Sequence, residues 1–483
     1  MEEFRELALL LRNYSADAQI QVIDNHTIKQ FPFWETDLPD DNINQPIANG
    51  NELSALNCQD KLQLRTRFWN TLLFLDLNQE ELSDASRVAY LCWQRLATLK
   101  TLMAAGAIKS LKEIAEPLLQ TAKEYELTLI LIETATQLRQ LSALHDGNMI
   151  GFDHYCQLIG QYEQVLKAEQ AADDEYDAFL MEQINPASNT DSLIQFALNA
   201  CQRLEPYAQS CKSASFMINL YFLRLQAAVL QANWTDVVRI GGQADRILRG
   251  KAIVQTAKVS AFLLSQALGI ANLGDLKLAL ETIDKAIALE VNGSRNWYRL
   301  QELKIRWLLH QNQYPAALDL CKVLNGKNKV GEWDIDQKRL FHTTLMYLSD
   351  QKSLPISTRE KGILMTHWIP MWGSQLDEMD IQNPDHEASI LLLQLPKWVG
   401  KGQAGALAAR FRHYLITSKA CAPQSARFEV LIETLEALSN TTTPDAVIKA
   451  ALQKLQALRI DYSAPEAAPE ILRIEHILQM LQH

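Results

Sequence analysis

Between Leu276 and Leu289 the apolar positions are Leu276, Ala279, Leu280, Ile283, Ala286, Ile287 and Leu289. Their steps are mostly three and four residues, which is one face of a helix. Lys277, Glu281, Asp284, Lys285 and Glu290 take the opposite face. Glu281 and Lys285 form an i,i+4 pair worth about 0.3 kcal/mol. A second apolar-periodic segment runs from Val254, and Gly274-Asp275 is the turn joining the two. The pattern predicts two antiparallel helices in a hairpin. Ala279 and Ala286 are small and let a neighbouring helix approach closely. The stretch Val254 to Leu324 organises the chain, and most of the remainder reads as variations on it.

The other segments follow in order. Residues 1–30 read as one or two short helices, and "AQIQVID" (18–24) is the one short strand candidate. Gln30 to Asn57 holds prolines, acids and many asparagines and reads as a long loop, and Phe31, Phe33 and Trp34 at its start read either as an anchor packed on adjacent helices or as a partner contact. Helical periodicity is steady from Lys61, with Leu62, Phe68, Leu72 and Leu73 near one face. Ser83 to Ala105 is predicted as a long helix ended by Gly106. Pro117 falls inside the next helix, where it predicts a kink or a boundary. Leu127 to Leu144 and Phe152 to Ala168 are the next helices, with a turn at His145 to Asn148 between them. The acidic run at 170–190 predicts a soft boundary. Ser192–Tyr207 and Ser213–Gln231 form another hairpin. Asn325 to Asp334 is a loop. Beyond it helices are predicted at 334–350, 357–376, 386–395, 403–417, 425–439, 444–458 and 469–482, with Thr443 as N-cap and Pro444 at the first helical position. This gives four parts: residues 1–58, 59–185, 186–330 and 331–483, the last a degenerate continuation or cap of the array.

The central hairpin resembles a tetratricopeptide (TPR) repeat. In that pattern a Gly-Asp turn ends the first helix, and small, large and small apolar residues follow at fixed offsets. Gly274, Ala279, Ile283 and Ala286 occupy those positions, and Ala267 takes the small position seven before the glycine. Val291 stands where the closing proline would be. The next unit places Tyr314, Ala317 and Cys321 in the second-helix pattern, with Trp297, Leu300, Leu303 and Trp307 along its first helix. Its spacing, Ala279 to Ala317, is longer than the family's ~34 residues by about one helical turn. An earlier unit places Trp234 at the turn aromatic. The passage Leu102 to Leu144 is also similar to a TPR unit, and to uncharacterised bacterial helical-repeat proteins. The resemblance implies an all-α fold, a right-handed α-solenoid of antiparallel helix hairpins. It further implies a protein-binding scaffold whose first helices line a concave groove.

Composition agrees with long helices. Gly (18) and Pro (15) are scarce in 483 residues, and hydrophobic residues make up 48%. The net charge of −11 disfavours nucleic acid and anionic membranes as default partners. No apolar run approaches the ~20 residues of a membrane span. The N-terminus opens acidic and amphipathic, without the basic start of a signal peptide, so the chain reads as cytoplasmic. Seven scattered cysteines without a C-x-x-C pair read as reduced, buried thiols.

No catalytic, cofactor or metal constellation emerges. His154 and Cys156 lie two apart and diverge on a helix. "VGKGQAG" (399–405) lacks the first glycine of a phosphate loop, because Leu395 stands there, and Gly402 replaces the Ser/Thr after the lysine. The acids Asp173-Asp174-Glu175 and Asp377-Glu378 with Asp380 read as solvated faces. Two basic groups are candidates for partner binding. Arg295, Arg299 and Arg306 share a face of the helix that would line the groove, and read either as ordinary solvated arginines or as placed to receive a carboxylate or acidic segment. The stretch 388–428 carries Lys397, Lys401, Arg410, Arg412, Lys419 and Arg427 and no acid. It reads either as a face balanced by acids elsewhere in the fold or as a docking surface for an acidic or phosphate-bearing partner. Arg410 and Arg412 would splay apart on a helix.

The sequence therefore points to a non-enzymatic scaffold or adaptor that binds a protein or peptide in its groove. The alternatives are a regulator that contacts nucleic acid or a phosphate-bearing partner through residues 388–428, and an enzyme of unrecognised type built on helices. The partner and the oligomeric state are not encoded in any motif.

Overall fold

In a computed structural model the structure describes residues 84–185, 188–251, 255–325, 344, 347, 384–417, 422–440, 443–460, 462 and 470–481. All regular structure among these residues is helical. The expected strand at 18–24, the loop at 30–57, and the helices at 334–350 and 357–376 lie outside them, apart from Thr344 and Tyr347, which are helical. The chain divides into two compact units, residues 1–166 and 167–483.

The first unit contains α1 (Asp84–Ala104), α2 (Ile108–Glu124) and α3 (Thr128–Leu141), with a π-type turn at Ser142–Asp146. Its core is Leu96, Leu99, Leu111, Ala115, Leu118, Ile130, Leu131 and Leu138. These residues recur at helical spacing within each helix, so the three apolar stripes close on one another. Pro117 does not break α2, which runs through it. The proline is exposed, and its carbonyl still accepts the Thr121 hydroxyl at 2.9 Å.

Helix α4 (Met149–Ile184) carries the chain into the second unit. The helix runs through the acidic stretch, where Ala168, Ala172 and Phe179 form one buried stripe. The helix ends at Ile184, and Asn189 opens the next with a reciprocal capping box to Ser192.

The second unit continues with α5 (Thr190–Ser210), α6 (Ala214–Leu230), α7 (Trp234–Arg249), α8 (Thr256–Asn272), α9 (Leu276–Ile287), α10 (Arg295–His310) and α11 (Tyr314–Asn325). After the residues not described come α12 (Pro384–Gly400), α13 (Ala404–Thr417), α14 (Ala422–Asn440), α15 (Pro444–Gln456) and α16 (Ile474–Met480). Each helix packs chiefly on its neighbours in sequence, and α16 also returns to α12. The side chains of Ser213, Asn233, Asp275 and Ser294 cap α6, α7, α9 and α10. Ala267, Ala279, Ile283 and Ala286 are fully buried, as the pattern required. Close approach is visible where the Ser260 hydroxyl of α8 reaches the Ala286 carbonyl of α9 at 3.3 Å.

The tight turns share one conformation. Gly106, Glu126, Ala232, Gly274, Asn312 and Gly402 all have positive φ, from 51° to 98°. At each, the amide of that residue bonds the carbonyl three back, and the next amide bonds the carbonyl five back. At Gly274 these bonds are 2.9 Å to Ala271 and 3.2 Å to Ile270. This is the Schellman ending of a helix. The glycines of "VGKGQAG" therefore make a helix–helix turn, with Gly402 at the left-handed position.

Candidate functional site

The site begins with α10. Its buried residues run around the helix and include the polar Gln301, Arg306 and His310. A helix whose polar residues are buried needs partners for them. Residues near the end of the chain supply those of His310. His310 Nε2 lies 2.7 Å from the Glu470 carbonyl, which can only accept, so Nε2 carries the proton. Nδ1 is then bare and accepts the Tyr462 hydroxyl at 3.1 Å. Burial holds the His310 pKa down, to about 3, with Arg473, Arg306 and Arg427 adding to the effect against the Glu470 hydrogen bond. The imidazole is neutral and works as a fixed donor and acceptor. Burial raises Tyr462 to about 12, so its hydroxyl keeps its proton. The Tyr462 ring also stands edge-on to Trp307, 6.3 Å between centroids.

Two more elements hold the same segment. The Tyr462 amide donates to Asn272 Oδ1 at the end of α8, at 3.0 Å. On α11, Tyr314 Oη lies 2.5 Å from His476 Nε2, and Tyr347 Oη donates to the Met480 sulfur at 3.8 Å. Burial lowers the His476 pKa. From the other side Arg427 of α14 pairs with Glu470, bonds Glu475 at 2.6 Å, and donates to the carbonyls of Leu455 and Leu458. Burial opposes its charge, but the two glutamates outweigh that and raise its pKa. Glu470 also accepts the Ile474 amide at 3.1 Å, which starts α16. The helix expected from residue 469 begins at 474, and residues 470–473 are not helical.

The three arginines of α10 differ in exposure. Arg295 is exposed and Arg299 half-buried, whereas Arg306 is 3% exposed and bonds Glu302 at 3.0 Å. The basic stretch is drawn into the fold. Arg410 pairs with Glu387 at 2.5 Å and lies 5.9 Å over the Trp398 ring; Arg412 pairs with Glu436 on α14; Arg427 is buried against Glu470 and Glu475. Arg410 and Arg412 do splay, one toward α12 and one toward α14. Lys397 and Lys401 are exposed, and Lys419 lies outside the described residues.

The acids of α4 are also engaged. Glu175 holds Arg203 of α5, and Asp173 accepts from Asn219 of α6 at 2.6 Å. Between them Tyr176 stacks on Phe222, which stacks on Phe262 at 4.3 Å. The acids 377–380 lie outside the described residues. Among the described residues no group of three or more His, Cys, Asp or Glu could hold a metal ion, and no helix is long and apolar enough to cross a membrane.

Sequence reasoning missed His310, Tyr462, Asn272 and Glu470. One signal was available for Arg427, which shares a helical stripe with Leu431, Thr434 and Leu435, all buried. A charge in such a stripe demands a buried partner. No family model, no curated protein and no solved structure matches this chain.

Proposed function

We propose that the chain is a protein-interaction scaffold: a right-handed, TPR-like solenoid that holds an extended or helical segment of another protein on the faces of its first helices. The observation that carries this reading is the repeated hairpin. Helices joined by one recurrent turn stack on their sequence neighbours, and such stacking leaves a continuous face of parallel first helices for ligand contact. The alternative, recognition of nucleic acid or phosphate through residues 388–428, has less support. Arg410, Arg412 and Arg427 of that stretch are already bound to carboxylates. Counterion release needs cations free to meet phosphates.

The test is affinity capture from source-cell extract at low and moderate salt, followed by titration of the purified partner and amide-exchange mapping. The expected result is a one-to-one complex that survives moderate salt, with protection on α6, α8 and α10. Recovery of nucleic acid that dissociates steeply with salt would overturn the reading, as would partner protection confined to other helices.

A further inference from the structure

Two side chains from successive hairpins grip the main chain of one segment. Asn272, closing α8, accepts from the Tyr462 amide at 3.0 Å, and His310, closing α10, donates to the Glu470 carbonyl at 2.7 Å. Tyr462 and residues 470–473 are not helical. Helices packed on helices do not need such bonds, because their main-chain groups already pair internally. Grips on main-chain amides and carbonyls are how an extended ligand is held, with pockets reading its side chains. Here the side chains are read too. The Tyr462 hydroxyl meets His310 Nδ1 and its ring meets Trp307, while the Glu470 carboxylate meets Arg427. Ile474, Ile477 and Leu478 are then buried along one side of α16.

We propose that the face formed by Asn272, Trp307 and His310, together with Arg427, is a peptide-binding site that the chain fills in cis with Tyr462 and Glu470–Leu481. The partner it takes in trans is a protein segment of the same chemistry. That segment carries a phenolic side chain, then a glutamate that heads a short helix with isoleucine or leucine at its first, fourth and fifth positions. The cis occupancy stands on the geometry, and the outside partner rests on the scaffold reading above. Specificity follows from the polar pockets. A segment without the hydroxyl leaves Nδ1 of His310 unpaired, and one without the carboxylate leaves Arg427 charged and buried, so both are rejected more strongly than by shape alone.

The test uses the full chain with a specific protease site inserted between Arg459 and Ile460, which lie outside helices. After cleavage, a fluorescent synthetic peptide of residues 460–483 is added in excess. The expected result is that the labelled peptide exchanges with the cleaved fragment while the helical signal and melting of the body persist. Peptides carrying Tyr462→Phe or Glu470→Gln should compete at least tenfold less well. A fragment that never exchanges, or a body that unfolds when it leaves, would show the segment to be fixed core and overturn the proposal; so would equal competition by the two altered peptides. Exchange with no outside partner found would retain the site and remove only the scaffold reading. An outside partner bound elsewhere, with no exchange, would do the reverse.

Discussion

Arg427 and Glu470 form a two-bond ion pair, Nε to Oε2 at 2.9 Å and Nη2 to Oε1 at 2.7 Å, with 1% and 4% of their side chains exposed. A buried pair adds little over an apolar substitute of the same shape, but breaking one half is costly. Arg427→Ala strands the Glu470 carboxylate and also releases Glu475 and two carbonyls. The expected loss is about 3–5 kcal/mol. Arg427→Met combined with Glu470→Met should recover part of that loss. Denaturant midpoints of the three proteins check it, and an Arg427→Ala chain as stable as the parent would remove the pair from the fold's support.

His310 makes the same region acid-sensitive. Its folded pKa, about 3, lies below the ordinary 6.5, so the unfolded chain binds a proton that the folded chain refuses. The contribution is intact above about pH 6.5 and declines as pH falls toward 3. At pH 5 the expected loss is about 2 kcal/mol relative to pH 7. The groups facing the ring are Tyr462, the Glu470 carbonyl and the cations Arg473, Arg306 and Arg427; the carbonyl favours an imidazolium, but burial and the three cations outweigh it. His476, lowered by burial, acts with the same sign. Protection of the amides in residues 470–481, taken relative to the intrinsic exchange rate at each pH, should fall between pH 7 and 5. In His310→Gln, which keeps a donor but cannot titrate, that loss of protection should shrink.

The crossing of α7 and α8 depends on two glycines. A β-carbon on Gly269 would sit 3.0 Å from methyls of Val237 and Val238, and one on Gly241 would sit 2.9 Å from the Gln266 β-carbon and 3.1 Å from the Phe262 carbonyl. Backbone and branched side chains cannot yield cheaply there. Gly241→Ala and Gly269→Ala are each expected to cost about 1–3 kcal/mol through overpacking. Gly160→Ala, where nothing lies within 4 Å, should not destabilise. Thermal melting of the three variants checks the order.

The hairpin at 254–324 was readable because its period, its small residues and Gly274 are all local signals. The covering of α10 was not. His310 looks like an ordinary polar position until residues more than a hundred and fifty positions away, Tyr462 and Glu470, are placed on it. A charge balance counted along 388–428 likewise could not show that Glu436 and Glu470 lie against it in space. The continuity of α4 through its acidic run was hidden for the opposite reason. Exposed charges dominate the text of the sequence, while a stripe of two alanines and one phenylalanine is enough to keep the helix going.

The turns were half legible, and the illegible half yields the last prediction. Gly106, Gly274 and Gly402 mark themselves by residue type, whereas Glu126 and Ala232 adopt the same left-handed backbone with a side chain, at φ 52° and 51°. The bonds that define the turn come from the main chain alone, so the sequence need not announce them. A side chain there crowds the carbonyl, at a cost of roughly 1–2 kcal/mol, while glycine loosens the unfolded chain by somewhat less. Ala232→Gly and Glu126→Gly should each stabilise by about 0.5–1 kcal/mol. Asn312→Gly should change little, since asparagine tolerates this region. Gly274→Ala, in open space but at φ 98°, should cost about 1 kcal/mol or more from backbone strain alone. Urea midpoints of these four variants would rank Ala232→Gly and Glu126→Gly above the parent, Asn312→Gly beside it and Gly274→Ala below. Loss of stability in Ala232→Gly would contradict the shared turn at that hairpin.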